Sequence, residues 1–343
     1  MSARPTSALL FKNRIPLPPE LPLDAIARDQ KVGVRAADGE LRIEAPGNGA
    51  DETHIVQRRA VVVPPTILQS FDWQGGMRIS LVAEHGGITA RALDPDTHPD
   101  FTDPLIGLDG LPLPPQYLVQ AFTSVPDRVA GVRKGEETAH FILDYCTKAG
   151  RPLGGDDRFL DFGCGSGRVL RHMPRLADVD VIGTDLYADA ITWCRRFLPT
   201  GTFIDGQERP SLPVEDNSVD VMLALSVLTH LDEELCRSWL ADWKRMLKPG
   251  GLAFVTAHSD GLIASNFAHV PQRQEQVRTG MQENGGVWFD DSAAWKGIFP
   301  DIYQTTYHSE EHIRSVWGSI MEIIDIVPSG GFTNRQDLVV MRA

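Results

Sequence analysis

Short apolar runs alternate with segments of helical spacing through the second half of the chain. Apolar side chains dominate four runs, as expected of buried strands: residues 159–161, 179–184, 218–225 and 252–256. Between them, residues 188–197 and 235–246 place apolar side chains at the spacing of a helix. Alternating strands and helices predict an α/β fold with a parallel, doubly wound sheet.

The first hundred residues follow a two-residue alternation instead. Val32 and Val34 alternate with polar positions, and so do Leu41 and Ile43 beyond a turn at residues 38–39. A second pair of alternating runs flanks residues 84–87, and residues 54–63 predict one further strand. The proline-rich residues 1–30 are expected to be extended. These patterns predict a small antiparallel β module within residues 1–110, followed by a larger domain over residues 111–343. Packing or oligomerisation is the favoured role of the module, and gripping a substrate is the alternative.

Three further segments of the larger domain have their own signatures. Residues 136–149 have helical spacing and end before Gly150, a position typical of a helix C-cap. Residues 258–305 interrupt the alternation and predict a lid or specificity insert. After Ser309, an N-cap residue, we expect a helix to about residue 319, and then an antiparallel hairpin of residues 321–327 and 337–341.

A glycine loop follows the first strand of the alternating region. Asp161 ends the strand, and Gly163, Gly165 and Gly167 follow before the next helical pattern. A strand, a glycine loop and a helix together present backbone N–H groups to a ligand. A dinucleotide-binding fingerprint, G-x-G-x-x-G, requires a glycine at position 168, where this chain has Arg168. A nicotinamide oxidoreductase is therefore disfavoured.

The stretch Asp-Phe-Gly-Cys-Gly-Ser-Gly-Arg at residues 161–168 resembles the first motif of class I S-adenosylmethionine (SAM) dependent methyltransferases. Later segments resemble the same family in the same order: Asp185, residues 212–220, 226–231, 248–252 and 336–340. The resemblance covers roughly residues 135–343. It implies a mostly parallel seven-stranded sheet with an antiparallel C-terminal strand, SAM as cofactor, and methyl transfer as the activity.

The resemblance also implies which positions bind the cofactor. They are Asp161, Gly163, Cys164, Gly165, Gly167, Arg168, Asp185, Leu186, Asp205, Gly206 and Ser226. The strand-end acid and the first glycines are expected to line the methionine part of SAM, and Asp185 is expected to bind the ribose. Leu186 would pack on adenine, Asp205 and Gly206 would lie near its amine, and Ser226 near the methionine amine and methyl group. Arg168 meets the methionine carboxylate or, equally well, lies on a helix surface.

An oxygen nucleophile also needs a group to take its proton. His258 follows the fifth strand of the sheet and is the first candidate for this base; His230 and His308 are the others. His230 belongs to the turn after the fourth strand, where a structural role is favoured. We find no acidic cluster with metal-ligand spacing, and therefore expect no metal dependence.

Composition limits the remaining choices. A formal net charge of -13 argues against a nucleic-acid partner. The four cysteines form no C-x-x-C pair, and no apolar window reaches the length of a membrane span or a signal peptide. We therefore expect a cytoplasmic enzyme, with no membrane partner and no particular oligomeric state implied. The favoured acceptor is a small-molecule or glycan hydroxyl; a protein side chain and a non-catalytic SAM-binding module are the alternatives.

Overall fold

The N-terminal part of the chain forms an antiparallel sheet whose eight strands are ordered β1-β7-β8-β4-β3-β5-β6-β2. A computed structural model describes residues 4–37, 40–47, 50–56, 59–84, 86–122, 125, 127–263, 267, 270–289, 298–333 and 335–343. The strands are β1 Thr6–Leu9, β2 Arg14–Pro16, β3 Lys31–Ala37, β4 Glu40–Glu44, β5 Asp51–Val56, β6 Ala60–Val62, β7 Arg78–Glu84 and β8 Gly87–Ala92.

Both hairpins predicted in this part are confirmed. Strand β3 pairs with β4, and β7 pairs with β8, each in antiparallel register. Val32, Val34, Leu41 and Ile43 are fully buried, as their alternation predicts. Residues 38 and 39, the predicted turn, lie outside the described residues.

Two predictions for the N-terminal part are wrong. Residues 54–63 do not form one strand, because the chain reverses there and β5 pairs antiparallel with β6. Arg59, between the two strands, has a φ of 56°, a left-handed conformation that reverses a chain but leaves no mark on the apolar pattern. The proline-rich start is not merely extended either: it contributes β1, β2 and the short helix α1, Leu23–Ile26.

The C-terminal part forms a seven-stranded sheet in the order β11-β10-β9-β12-β13-β17-β16. Its strands are β9 Arg158–Phe162, β10 Asp180–Asp185, β11 Thr202–Asp205, β12 Val219–Ala224, β13 Leu247–Ala257, β16 Glu322–Val327 and β17 Asp337–Arg342. The first five strands are parallel, whereas β17 runs antiparallel to both neighbours. The predicted doubly wound sheet with its antiparallel C-terminal strand is confirmed.

The remaining helices follow the predictions closely, with two exceptions. Their bounds are α2 Pro65–Ser70, α3 Pro99–Thr102, α4 Gln116–Phe122, α5 Arg128–Lys148, α6 Met173–Ala177, α7 Ala188–Phe197, α8 Glu233–Met246, α9 Pro271–Asn284 and α10 Glu310–Val316. Helix α5 begins earlier than predicted, because glycines at 131 and 135 obscure its spacing. The helix expected directly after the glycine loop is replaced by turns, and α6 begins only at Met173, where Pro174 occupies its first turn.

Aromatic side chains fix α8 against the centre of the C-terminal sheet. The ring of Phe162, at the end of β9, lies 4.7 Å from that of Trp239 and 5.2 Å from that of Trp243. Both tryptophans are buried. Burial of each large apolar side chain stabilises the fold by about 1.5–3 kcal/mol. The end of β9, where the glycine loop starts, is therefore held rigidly.

The predicted insert of residues 258–305 contains regular structure of its own. Helix α9 is followed by β14, Gly286–Phe289, which pairs antiparallel with β15, Thr305–His308. Val277, Met281, Phe289 and Tyr307 form a small buried cluster there. Residues 264–266, 268–269 and 290–297 of this insert lie outside the described residues. Its role as a lid stays a prediction.

The chain divides into two compact units. The first comprises Met1–Arg133 with Ala294–Ile298, and the second comprises Lys134–Ala293 with Phe299–Ala343. This division falls later in the chain than the boundary between residues 110 and 111 expected from the sequence. Within the described part of the chain, every helix is too short or too polar to cross a membrane.

Candidate active site

The loops after β9 and β12 meet where the strand order of the sheet reverses. Strand β9 pairs with β10 on one side and with β12 on the other. A Cβ atom placed on Gly163, after β9, would lie only 2.8 Å from Cγ2 of Val227, after β12. In doubly wound sheets the ligand crevice opens at this reversal, at the carboxyl ends of the strands.

The glycine loop is tied to the neighbouring strand by its backbone. Gly163, Gly165 and Gly167 have φ values of 82°, 53° and 72°, which favour glycine. The N–H groups of Gly163 and Cys164 donate to the carbonyl oxygen of Thr184, at 2.8 and 3.0 Å. The predicted loop residues thus lie together at one end of β9 and β10.

Asp185 holds the loop from the end of β10. The N–H of Gly165 donates to Oδ2 of Asp185, and the N–H of Tyr187 donates to Oδ1, each at 2.8 Å. Burial raises the pKa of Asp185 to about 6, although both N–H donors act to lower it. The carboxylate therefore sits where few water molecules solvate it, beside the loop backbone.

Asp161 is a second buried carboxylate, at the end of β9. Its exposed fraction is 2%. Burial raises its pKa to about 7; the nearby Arg168 opposes that rise and Asp185 adds to it. Burial in turn lowers the pKa of the half-buried Arg168, and Asp161 opposes that change. A cationic ligand group next to Asp161 would stabilise its ionised form.

Asp205 and Gly206, at the end of β11, are placed differently from each other. The Gly206 N–H donates to the carbonyl oxygen of Asp185 at 2.9 Å, next to the loop. The Asp205 side chain is exposed and paired with both terminal nitrogens of Arg195, at 3.1 and 2.9 Å. Leu186, which follows Asp185, is half-buried.

Ser226 occupies a constrained position after β12. Its φ is 60°, unusual for a residue other than glycine. Its N–H donates to Oγ1 of Thr256 at 2.7 Å, and its hydroxyl donates to Oε1 of Gln336 at 2.9 Å. Two neighbouring strands, β13 and the segment before β17, therefore orient this turn. The sequence did not predict the part played by Gln336.

Cys164 belongs to the loop but faces the interior. Its Sγ lies 3.5 Å from the carbonyl oxygen of Gly165, and so does Sγ of Cys194 on α7. The two thiols reinforce each other's protonated state, and burial adds to this, so the pKa of Cys164 is raised well above its usual range. Cys164 therefore packs beneath the loop as a neutral thiol.

His230 and His258 present imidazole rings on the far side of β12 and β13. Nδ1 of His230 lies 2.8 Å from the carbonyl oxygen of Gln304, and Nδ1 of His258 lies 3.0 Å from that of Thr306. A carbonyl oxygen only accepts, so each Nδ1 carries the proton and each Nε2 carries the lone pair. Burial lowers the pKa of His230 to about 3 and that of His258 to about 4.

Aromatic rings surround these histidines. The His230 ring stacks on Tyr303 at 3.9 Å, and Tyr303 stacks on Phe299 at 4.3 Å. The ring of Phe299 lies 6.2 Å from that of Tyr187, the residue whose N–H binds Asp185. An apolar wall therefore leads from the histidines to the glycine loop. The sequence gave no signal for this stack beyond the presence of aromatic residues.

Glu233, His308 and His312 form a separate cluster of possible metal ligands. Their ligand atoms all lie within 4.8 Å of one another. The sequence analysis treated His308 as a possible base and did not identify this cluster. The H-x-x-x-H spacing of the two histidines was the available signal.

Comparison with known proteins agrees with this geometry. Residues 160–255 match a family described as a methyltransferase domain. The chain carries a class I SAM-dependent methyltransferase domain. The matched residues include the glycine loop, Asp185, Ser226 and most of β13. The loop N–H groups and two buried carboxylates of this methyltransferase domain fit a ligand with vicinal hydroxyls and an ammonium group, as SAM has.

Named relatives are similar to part of the chain. The ubiquinone biosynthesis O-methyltransferases of Parvibaculum lavamentivorans and Chelativorans sp. are 33% and 34% identical over 147 residues, 42% of this chain. The chain spans little more than half the length of these relatives, 56% and 55%. A SAM-dependent methyltransferase structure from Methanosarcina mazei is 18% identical, with a TM-score of 0.41, covering 55% of this chain and 93% of that one.

Proposed function

We propose that this protein transfers the methyl group of SAM to a hydroxyl oxygen of a small-molecule or glycan acceptor. The observation that carries the proposal is the meeting of the glycine loop with Asp161 and Asp185 at the reversal of strand order. The relatives named as O-methyltransferases support oxygen as the methylated atom.

The cofactor residues have distinct tasks in this proposal. Asp185 accepts the ribose hydroxyls, and the backbone N–H groups of the loop approach the methionine part closely because glycines carry no side chain. Asp161 binds the methionine ammonium, which compensates for the unfavourable burial of its charge. Ser226 lines the same region from the end of β12. Arg168 is assigned to the methionine carboxylate.

The chemical demands on the protein are modest. Bound SAM supplies an activated methyl group on a sulfonium. The protein therefore has to align the acceptor oxygen and exclude water. Tyr303 and Phe299, stacked at 4.3 Å, provide an apolar surface for that purpose.

His258 is proposed to take the acceptor's proton at Nε2. Its Nδ1–H is fixed by Thr306, so the ring is neutral and its lone pair is oriented. A pKa of about 4 makes it a weak base. Such a base suffices because a hydroxyl becomes strongly acidic as its oxygen gains a bond to the methyl group. His230, held by Gln304 through both its ring and its backbone, is assigned a positioning role for Tyr303.

The first experiment tests cofactor binding by calorimetry. Asp185→Ala removes two charge-assisted hydrogen bonds, each contributing about 1.5–3 kcal/mol, so SAM affinity should fall at least about 100-fold. Asp180→Ala is the matched control, because Asp180 is exposed at the opposite end of the same strand. Binding of NAD in place of SAM, or unaltered SAM affinity in Asp185→Ala, would overturn the assignment.

The second experiment tests catalysis and the class of acceptor. The protein is incubated with labelled SAM and a host extract separated into small molecules, glycans and proteins. We expect label in the small-molecule or glycan fraction, and an on the order of 100-fold lower rate for His258→Gln with unaltered SAM affinity. Label in proteins alone would favour a protein methyltransferase, and label in no fraction would favour a non-catalytic SAM-binding module.

A further inference from the structure

Three elements of the second unit bring one potential metal ligand each to a common point. Glu233 lies in the first turn of α8, His308 ends β15, and His312 lies in the first turn of α10. Each starting turn is fixed by a cap: Asp232 accepts from the N–H of Leu235, and Ser309 accepts from that of His312. The three side chains are therefore positioned by rigid backbone.

The ligand atoms are spaced as around one small cation. Oε2 of Glu233 lies 2.9 Å from Nε2 of His312 and 3.3 Å from Nε2 of His308. A tetrahedral ion with bonds of about 2.0–2.1 Å holds its ligands roughly 3.3 Å apart. The existing separations thus need only small side-chain adjustments to surround an ion.

Hydrogen bonding does not satisfy this cluster. His308 has an exposed fraction of only 2%, and its Nε2 is buried without a hydrogen-bond partner, since its approach to Glu233 is poorly aligned. The second oxygen of Glu233, Oε1, is also buried and unpartnered. An unpaired buried polar atom costs about 1–3 kcal/mol. A metal ion would use both atoms.

We propose that Glu233, His308 and His312 bind a divalent transition-metal ion, with Zn²⁺ as the expected occupant. Two imidazole nitrogens and one carboxylate suit Zn²⁺ and its neighbours better than Mg²⁺ or Ca²⁺, which favour oxygen ligands. Three protein ligands leave the fourth tetrahedral position to water. The cluster differs from every residue assigned above to cofactor or acceptor.

The ion's effect on the protein follows from what β15 does. The backbone N–H of His308 donates to the carbonyl oxygen of His258 at 2.9 Å, and Nδ1 of His258 donates to Thr306 on the same strand. An ion that holds His308 to α8 and α10 would therefore steady the strand that orients His258. The site is structural, and it supports the acceptor side of the domain.

The experiment measures metal binding to the full chain and requires no catalytic assay. After treatment with a chelator and desalting, the protein is titrated with Zn²⁺ by calorimetry and with Co²⁺ by visible absorption. We expect one ion per chain, a Co²⁺ spectrum in the visible range, and a melting temperature raised by at least about 4 °C with saturating Zn²⁺.

Paired variants distinguish the cluster from surface binding. His308→Ala should weaken Zn²⁺ binding on the order of 100-fold, and Glu233→Gln should weaken it about 10-fold. His140→Ala and Glu234→Gln are the controls, because both residues are exposed, and Glu234 directly follows Glu233 on α8. A wild-type protein that binds neither ion, or control variants that lose binding equally, would overturn the proposal. The wild-type titrations decide the matter even if a variant fails to fold.

Discussion

At the scale of single residues, the notable feature is the pair of buried carboxylates at the ends of β9 and β10. Their pKa values, about 7 for Asp161 and about 6 for Asp185, lie above the 3.8 of a solvated aspartate. Their burial therefore favours the protonated forms, and the stability linked to this is lost as the pH rises through 6 to 7. A bound cation reverses this preference at Asp161.

SAM affinity should consequently depend on pH below neutrality. If the ionised form of Asp161 binds the methionine ammonium, affinity should fall by up to about tenfold per pH unit as the pH drops from 7.5 to 5.5. Calorimetry in buffers of different ionisation enthalpy should also detect proton release on binding. In Asp161→Asn, affinity should be weaker at pH 7.5 and its pH dependence shallower. A wild-type affinity that stays constant over this range would contradict the role given to Asp161.

The residue scale also shows how far the sequence reaches. The resemblance identified Asp161, Asp185 and the three glycines, and the structure brings them together. It did not indicate that Arg195 engages Asp205, or that Gln336 binds the Ser226 hydroxyl. These partners come from distant parts of the chain, and only the folded structure defines their proximity.

At the scale of elements, helix α5 approaches the glycine loop closely at one point. A Cβ atom on Gly135 would lie 1.9 Å from the carbonyl oxygen of Arg168. The backbone after the loop therefore touches the helix where the helix has no side chain. Glycine inside a helix is destabilising by roughly 1 kcal/mol relative to alanine, so its presence here reflects this approach.

Gly135→Ala should accordingly act against its own helix propensity. The added methyl group should push α5 away from Arg168, lowering the melting temperature and reducing SAM affinity at least about tenfold. Lys134→Ala is the control, because Lys134 is exposed on the same turn. Thermal denaturation and calorimetry provide the two readouts. A variant that becomes more stable and binds SAM normally would show that the loop does not depend on this contact.

Element types in the second unit were largely predictable from periodicity, but some bounds were not. Helix α7 matches its predicted residues, since its apolar side chains repeat regularly. The start of α5 and the delayed start of α6 were missed, because glycine and proline disturb the apolar pattern for reasons of packing and backbone geometry. The turn between β5 and β6 was hidden inside one apolar run for the same reason.

At the scale of the whole molecule, we propose that the two units unfold separately. Each has its own buried core: one includes Val34, Leu41 and Leu81, and the other includes Trp239, Trp243 and Val339. Scanning calorimetry should then resolve two transitions, of which SAM at about 100 times its Kd should raise only one, by about 5–10 °C. NAD at the same concentration should move neither. A single transition that shifts as a whole would show that the units unfold cooperatively.

The division of the chain was harder to predict than the fold of either part. Composition changes little between residues 96 and 135, and α5 continues from the first unit into the second. A boundary that falls inside a helix produces no linker signature, so it was expected too early.

The orientation of His258 and His230 has a consequence for how this protein can diversify. The groups that fix both imidazoles are peptide carbonyls at positions 304 and 306, which are present whatever side chains stand there. Substitution at position 304 therefore leaves the tautomer of His230 unchanged. Homologues that diverge at this position can acquire a new range of acceptors while inheriting the same proton arrangement.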